Sequence, residues 1–310
     1  MGLLKQRAQV VCEQEGTEGT AETLEGADAF LAFDPHFEPV IEAHERNPVR
    51  TALSPHGSVF GKRSARMTFQ VELVGTSAGA GNAIHYSDAI KACGVGETLV
   101  GGTSATYKPI STSIPSVTLA MYLDGKIYKM WGARGTARLL LEAGKPGLLD
   151  MEFVGADFSE DDGALLTSGV SYESAKPPTF QSASFTIDSY SAIISRLELD
   201  MGNTLALRPS ANASSGNFSC QIADRRPTVS FDPENVLVAT EDFLGNWRSG
   251  SEMALSSSFG ATAGNTMGVT APKVQYQTAT MSDRDGISVF ELVGLCCLNS
   301  GNDEWQIAIT

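Results

Sequence analysis

A turn signal near the middle of the chain most restricts the fold. Asp124-Gly125 joins two runs of β-forming residues, 116–123 and 126–131. An Asp-Gly pair between such runs is the strongest short-range signal for a β-hairpin. Two further apolar-rich runs follow at 135–143 and 148–154, and the Gly and Pro residues between them predict another turn. The sequence therefore predicts a meander of four antiparallel strands.

The composition favours a mainly β protein and argues against several other classes. Glycine contributes 31 of the 310 residues, which favours turns and short strands over long helices. The 36 acidic and 22 basic residues give a net charge of −14, so a surface that grips nucleic acid by its phosphates is not expected. No apolar run approaches the ~18 residues of a membrane span. The length suits about two domains.

The second half of the chain repeats the order of elements of the first half. An alternating run at 194–201 precedes a loop rich in Gly, Asn and Ser, and 225–232 takes the place that 62–73 has in the first half. The run at 287–294 ends the second half much as 149–155 ends the first. We interpret this order as a diverged tandem duplication. The alternative is that two unrelated β domains share the order by chance.

Two short helices are predicted at corresponding places in the two halves. The first spans 87–94, with Ser87 as its N-cap and a glycine at its end. The second lies near 240–247, with Thr240 as its N-cap. Each half is therefore expected to carry one short helix beside its sheet.

Two segments have the composition of connections rather than core elements. Residues 13–28 are acidic, rich in Gly and Thr and almost free of apolar side chains, so they predict an extended arm. Residues 156–186 change character and are typical of a linker. The predicted division is an N-terminal arm at 1–29, a first domain at 30–158, a linker at 159–186 and a second domain at 187–310.

The motifs that would carry chemistry are incomplete. Residues 75–79 match G-x-S-x-G, but His85 is the last histidine and lies only eight residues after Ser77. The order Ser, acid, His of that hydrolase fold is therefore absent. The four histidines and five cysteines lack the spacing of a metal site. No catalytic, cofactor-binding or metal-binding residue is predicted, and the chain is not expected to be an enzyme.

Short segments along nearly the whole chain have the order and spacing of a known family. They are Glu15-Gly16-Thr17 to Gly26-Ala27-Asp28-Ala29, Arg46-Asn47-Pro48-Val49-Arg50, Ala92-Cys93-Gly94, Tyr107-Lys108-Pro109, Tyr122-Leu123-Asp124-Gly125 to Gly132-Ala133-Arg134-Gly135, Gly144-Lys145-Pro146-Gly147 to Phe153-Val154-Gly155, Leu199-Asp200-Met201-Gly202-Asn203, Asp224-Arg225-Arg226-Pro227 and Asp285-Gly286-Ile287. The chain resembles the major tail tube proteins of long, non-contractile-tailed bacteriophages, in the variety whose subunit carries two tube domains.

The resemblance implies a mainly β fold of two tandem antiparallel β-sandwich or barrel tube domains, each with a short helix, plus an extended N-terminal arm. It implies inner strands that join those of neighbouring copies into rings, and stacked rings that conduct genomic DNA into the host. Since such rings contain six tube domains, a two-domain subunit would form homotrimeric rings with pseudo-sixfold symmetry. The implied partners are further copies of the chain, a tape measure protein, a tail terminator and a distal tail protein, with transient, non-specific passage of DNA. The protein would belong to the virion tail and assemble in the host cytoplasm.

Four acidic residues are predicted to face the lumen of such a tube: Glu38, Glu42, Glu198 and Asp200. Alternate residues of a strand point to opposite faces, and the alternative is that these four lie on a solvated outer face. An acidic wall suits DNA passage, because a cationic wall would hold the phosphates. Two other functions remain open: a tail terminator or baseplate ring protein on the same fold, and a soluble β-sandwich module that binds carbohydrate.

Overall fold

The computed structural model describes residues 2–310, which contain nineteen strands and two α-helices. The strands are β1 (Ala8–Gln14), β2 (Ala29–Phe30), β3 (Phe33–His44), β4 (Val59–Glu72), β5 (Val95–Val100), β6 (Ser104–Pro109), β7 (Val117–Leu123), β8 (Gly125–Glu142), β9 (Leu148–Gly155), β10 (Asp157–Gly163), β11 (Thr186–Ile187), β12 (Arg196–Asp200), β13 (Asn203–Pro209), β14 (Asn217–Arg225), β15 (Thr228–Phe231), β16 (Glu252–Phe259), β17 (Met267–Arg284), β18 (Ile287–Cys296) and β19 (Gln306–Ile309). The helices are α1 (Ser87–Ala92) and α2 (Phe243–Ser249), and a 3-10 turn spans Gly26–Asp28.

Four strands of the first half form an antiparallel sheet in the order β3-β4-β9-β8. Apolar and polar residues alternate along β4 and β9. Because successive side chains of a strand point to opposite faces, Met67, Phe69 and Phe153 are buried on one face while Thr68 and Glu152 lie on the other. The sheet therefore has one apolar face and one polar face.

Strand β8 is long enough to belong to two sheets. Its first part pairs with β7 and β10, and β7 pairs in turn with β1. Its second part pairs with β9. The sheet around β7 covers the apolar face described above, so Val10, Leu119 and Met130 share one core with Met67 and Phe153. The first half is an antiparallel β-sandwich, as the family resemblance implies.

The second half has the same strand order, β12-β15-β18-β17. The first part of β17 leaves this sheet and pairs with β16 and β19, and β16 pairs with β11. Leu197, Phe231 and Leu292 from one sheet and Val269 and Ile307 from the other are buried in the shared core. Strand β19 also pairs with β6, so the covering sheet of the second half continues into β6 and β5 of the first half.

The two four-stranded sheets join at β8 and β12. These strands are antiparallel, with Leu141 opposite Leu197 and Leu139 opposite Leu199, and all four leucines are buried. The result is one sheet of eight strands in the order β3-β4-β9-β8-β12-β15-β18-β17, which we call the long sheet. Its apolar face is covered by the other strands, and its opposite face is called the polar face below.

Strands β13 and β14 form a separate hairpin between β12 and β15 in the chain. This hairpin extends past the junction and packs on the first half. The side-chain amide of Asn203 donates to the carbonyl of Cys93 at 2.7 Å, and Arg225 donates to the carbonyl of Ile110 at 2.8 Å. Ser219, on β14, is completely buried. The second half therefore crosses the junction and packs against the first.

The predicted hairpin at the middle of the chain is confirmed. Strands β7 and β8 meet at Asp124 and Gly125, which adopt φ angles of 42° and 113°. Such left-handed angles suit Asp and Gly, which explains the sequence signal. Strand β4 begins at Val59, which pairs with His44 at the end of β3.

Both predicted helices are present, but neither begins at the predicted cap. The N-cap of α1 is Tyr86; Ser87 is the first helical residue, and its hydroxyl donates to a carboxylate on β5 instead. The N-cap of α2 is Asp242 and not Thr240, and the Asp242 carboxylate accepts a backbone N–H of the first turn. Asp accepts this hydrogen bond as well as Thr does, so the sequence alone did not separate the two positions.

Part of the predicted N-terminal arm is a strand. Ala8–Gln14 pairs along its whole length with β7, and Val11 is completely buried. The next residue, Glu15, is also buried; its carboxylate accepts the hydroxyl of Ser116 and the backbone N–H of Gly132, both at 2.6 Å. The N-terminal segment is extended, but it packs on its own chain because these hydrogen bonds hold it there.

The segment between the two halves also packs on the first half. The predicted linker at 159–186 begins inside β10, which extends over Asp157–Gly163. Beyond it, the side chain of Gln9 exchanges hydrogen bonds with the backbone of Leu166 at 2.8 and 3.0 Å. Phe185, near the end of the segment, is buried in the core. The segment therefore packs on β1 of the first half near its beginning and against Phe231 of the second half near its end.

The N-terminal strand carries a carboxyl group that makes stability depend on pH. Burial raises the pKa of Glu13 to about 7, and repulsion from Asp28, Asp88 and Glu22 adds to the shift. Because the folded-state pKa lies above the unfolded value of 4.5, the folded chain holds this proton more tightly. The resulting stability is present below the unfolded pKa and is lost as the pH rises through about 7.

We expect Glu13→Gln to stabilise the fold at about pH 8, by about 1 kcal/mol once the partial exposure of the side chain is taken into account. At about pH 4 the variant and the parent should unfold at nearly the same temperature. Thermal unfolding at the two pH values measures the difference. The matched control is Glu45→Gln, at an exposed loop position. An equal gain for both variants at high pH would contradict the assignment to Glu13.

Candidate assembly surface

The polar face of the long sheet carries three of the four predicted acidic residues. Phe37 packs with the core, so its neighbour Glu38 lies on the polar face. Leu199 is buried, so Glu198 and Asp200 lie on that same face. The structure therefore brings Glu38, Glu198 and Asp200 onto one surface, although they come from different halves of the chain.

Glu42 lies apart from the other three. Between the pairs Ile41–Arg63 and Ala43–Phe60, β4 contains one residue more than β3, so a β-bulge on β4 bends the hairpin beside Glu42. The Glu42 carboxylate lies 3.9 Å from Nε2 of His44, in an exposed part of the β3–β4 hairpin. Glu42 therefore lies on the exposed part of the hairpin, beyond the region of the sheet that carries the other three.

Arginines on the polar face are paired with carboxylates. Arg66 lies 2.7 Å from Glu152, and this hydrogen bond raises the pKa of the Arg66 guanidinium. Arg138 lies 3.5 Å from Asp150, and Arg196 contacts acidic groups on β12 and β18. These arginines are not among the residues that the sequence predicts, because cross-strand pairs become visible only once the strand register is known.

The polar face is slightly hollow. It holds an open groove of about 430 Å³, whose lining includes Asp34, Gln70, Arg138, Asp150, Glu152 and Asp200. Within residues 2–310 no cluster of three or more His, Cys, Asp or Glu side chains is arranged to hold a metal ion. The groove is wide, polar and lined mainly by strand residues, unlike a typical enclosed small-molecule site.

The G-x-S-x-G segment forms part of a loop beside α1. Glu173 accepts the backbone N–H of Ser77 at 3.0 Å and lies 3.0 Å from Nε2 of His85. Ser77 reaches this carboxylate through its backbone, and Glu173 also accepts the backbone N–H of Ala175 at 2.7 Å. The carboxylate therefore holds the 164–185 segment against the loop.

The long sheet ends in two open edges within residues 2–310. At one end β3 pairs with β4 alone. At the other end, β17 pairs with β18 alone from Thr278 to Arg284, where Met281 is 63% exposed. Open edges present unpaired backbone N–H and C=O groups, which readily pair with a strand of another molecule.

The outer part of the β3–β4 hairpin exposes apolar side chains. We call residues 40–44 and 59–63 the stem. Val40, Ile41 and Val59 are exposed on the stem, and Phe60 is 72% exposed. Contiguous exposed apolar residues of this kind mark interaction surfaces.

These features define a class: an antiparallel β protein with two open sheet edges and an exposed apolar hairpin, typical of a structural subunit. The family model for the phage tail tube protein matches residues 6–291, and the chain belongs to that family. It is a structural component of the virion tail of a bacteriophage. No curated protein matches the chain. Neither α1 nor α2, nor any other helix in residues 2–310, has the length and apolar character needed to span a bilayer.

Proposed function

We propose that three copies of the chain close a ring by pairing β17 of one copy with β3 of the next, and that such rings stack into the tube through which DNA passes. The observation that carries this proposal is the junction between β8 and β12. It joins two sheets of identical strand order within one chain. The same strand pairing, made between two chains, would use the open edges of β17 and β3.

Equivalent positions in the two halves follow from the strand pairing. The closing motifs E-F-V-G and E-L-V-G make Gly155 and Gly294 equivalent. Gly155 pairs with Ala65, and Gly294 pairs with Val229, so these partners are equivalent too. The next strand in the sheet is β3 in the first half and β12 in the second. On this reasoning β12 is the counterpart of β3, and β17 is the counterpart of β8.

The internal junction then supplies the register of the junction between chains. Asp200 pairs with Arg138 across it. Counting from the equivalent pairs, Asp200 corresponds to Val40 and Arg138 corresponds to Ser282. Val40 of one copy is therefore expected to lie opposite Ser282 of the next.

The same register has matching charges. Two residues along, it sets Glu38 opposite Arg284. Opposite charges facing each other across antiparallel strands stabilise the pairing, whereas like charges destabilise it. Arg284 already contacts Asp232 at 2.9 Å and Glu234 at 3.1 Å within its own chain, so in this register Glu38 would join an existing cluster of opposite charges.

A ring of three copies would contain a closed barrel of 3 × 8 = 24 strands, from the eight strands of each long sheet. Closure removes both open edges, which is the usual solution to the edge problem. The covering sheets would form the outside, so the polar face would line the lumen with Glu38, Glu198 and Asp200. In this proposal the tandem tube domains are 30–158 and 187–310.

By family resemblance, the assembled tube would contact a tape measure protein, a tail terminator and a distal tail protein, with assembly in the host cytoplasm. A carbohydrate-binding module that acts as a monomer does not need two open sheet edges that can pair with each other, such as those of β3 and β17. Fusing two domains in one chain also raises the local concentration of one neighbour for the other, which favours ring closure.

Electron microscopy of the concentrated, purified chain tests the proposal. We expect stacked rings with threefold symmetry and a pseudo-sixfold appearance in projection. Single closed rings that never stack would favour a terminator or baseplate role instead. Six full-length chains per ring would contradict the trimer, and protein that stays monomeric and binds sugar would contradict the tube itself.

A further inference from the structure

The stem of the β3–β4 hairpin and the outer surface of α2 are two exposed apolar surfaces at opposite ends of the long sheet. The stem carries Phe60, and α2 carries Leu244 and Trp247, which are 43% and 41% exposed and lie three residues apart on one side of the helix. Resting on the ring proposed above, we infer that the stem of one copy packs against the α2 surface of the adjacent copy.

The internal junction shows how such a contact forms. The β13–β14 hairpin extends from β12 and β15 as the stem extends from β3 and β4. Its first cross-strand pair is Asn203 with Arg225, and Asn203 donates to the carbonyl of Cys93 at the end of α1. Ile222, further along the hairpin, lies against Gly94. A hairpin that crosses the junction therefore lands beside the carboxyl end of a helix.

The equivalent contact between chains pairs the stem with α2. Counting from Val40 as the counterpart of Asp200, the cross-strand pair Ala43–Phe60 is the counterpart of Asn203–Arg225. Gly250 follows the last residue of α2, and its φ of 69° is close to the 76° of Gly94, which lies just beyond α1. Phe60 of one copy is thereby brought beside the last turn of α2 in the next, where Trp247 lies.

The contact within the chain and the proposed contact between chains use different side chains: charged residues on α1 and apolar residues on α2. At the positions of Leu244 and Trp247, counted back from Gly250, α1 carries Asp88 and Lys91, which form an ion pair. The internal contact is held by the continuous chain and needs little apolar burial. The contact between chains must supply its own affinity, and Phe60, Leu244 and Trp247 are the apolar and aromatic anchors that such an interface uses. The occupant of the α2 surface is therefore a second copy of this chain.

Quenching of tryptophan fluorescence by acrylamide tests the contact in the full chain. The contribution of Trp247 is the difference between the parent and Trp247→Phe, because this difference removes the signals of the partly exposed Trp131 and the buried Trp305. Quenching of Trp247 should fall several-fold when tubes form. If tubes form and Trp247 stays as accessible as in the unassembled chain, the contact is wrong while the ring proposal stands. If no polymer forms under any condition, the ring proposal fails and the contact fails with it.

A variant of the partner surface provides a second measurement. Phe60→Lys should raise the protein concentration needed for assembly by about tenfold or more, as expected for loss of an interface anchor. Leu99→Lys, at an exposed apolar position on β5, is the matched control and should assemble as the parent does. Thermal unfolding of the unassembled chain should be the same for both variants, since both sites are exposed. Normal assembly of Phe60→Lys would overturn the contact.

Discussion

A chain carrying Val40→Cys and Ser282→Cys should oxidise, once assembled, into covalently linked species that end at three chains. In the proposed register these two positions lie directly opposite each other on neighbouring copies, and directly opposite strand residues fall within the Cα separation of about 4.4–6.8 Å that a disulfide needs. A non-reducing denaturing gel should show one, two and three linked chains, with the trimer accumulating as oxidation is completed. Reduction should return every species to the single chain.

The background of this experiment is favourable. Cys12, Cys93, Cys220 and Cys296 are buried and only Cys297 is partly exposed. Burial raises the pKa of these four thiols, which slows their oxidation because the thiolate is the reactive form. Cys297→Ser removes the remaining accessible thiol.

The control for register keeps the same edges and moves one cysteine by two residues. Val40→Cys with Thr280→Cys leaves both thiols on the polar face but sets them diagonally, with Cα atoms about 7–8 Å apart. This pair should link poorly. Efficient linking of the control and not of the first pair would mean that the edges meet in a shifted register. A ladder ending at six chains would contradict closure by three copies.

The sequence predicts the parts of this fold that rest on local signals. The hairpin at Asp124-Gly125 has its turn residues next to each other, and the alternating runs of β4, β9 and β12 show which residues are buried. The repeated order of strands and helices suggested two related halves. These features depend on neighbouring residues, so they can be read without the structure.

Long-range pairing accounts for most of what the sequence did not reveal. Ala8–Gln14 is a strand because its partner is β7, and no residue near it in the chain signals that partner. Strand β3 contains Pro35 and Pro39, which argue against a central strand. Within one chain β3 pairs with β4 alone, so both prolines are tolerated there; in the proposed ring they are positions that offer no backbone N–H to a partner strand. The junction of β8 with β12 is also non-local, so the relation between the two open edges emerged only from the register.

The candidate surface was found in part for the same reason. Alternation was enough to assign Glu198 and Asp200 to one face, because Leu197 and Leu199, on the two sides of Glu198, are plainly apolar. For Glu42 the alternation of β3 continues, but the bulge on β4 bends the hairpin there, and the composition of β3 does not signal a bulge on its partner strand. Charge pairing on the polar face needed the partner strands as well.

Reversing one charge in the lumen should slow DNA passage without preventing assembly. Glu198 is the best of the proposed lumen residues for this test. Asp200 also accepts the backbone N–H of Gly202 at 2.8 Å, so changing it would disturb the turn that follows β12. Glu38 faces the junction between chains, so changing it would alter ring closure as well. Glu198 lies 3.7 Å from Arg196, which keeps a second carboxylate partner on β18.

Glu198→Lys places three lysines in each ring of three copies, and stacking repeats this set along the whole tube. Each lysine that contacts a phosphate releases counterions, so the DNA is held in proportion to the number of rings it crosses. We expect DNA ejection from virions with variant tails to slow by at least about tenfold at low salt, and to recover as the salt concentration rises, because phosphate contacts weaken steeply with salt. Glu198→Gln removes the charge without adding a cation and should slow ejection little.

The matched control places the same charge change on the outside. Asp161→Lys alters an exposed residue of β10, on the covering sheet, and leaves the net charge equal to that of Glu198→Lys. If net charge alone mattered, both variants would slow ejection equally. If the polar face lines the lumen, only Glu198→Lys slows it, and only that variant shows the salt dependence. Normal ejection through full-length tails built from Glu198→Lys would place the polar face away from the DNA. Repeated rings of lysines in contact with the phosphates must bind the DNA at low salt and so slow its passage.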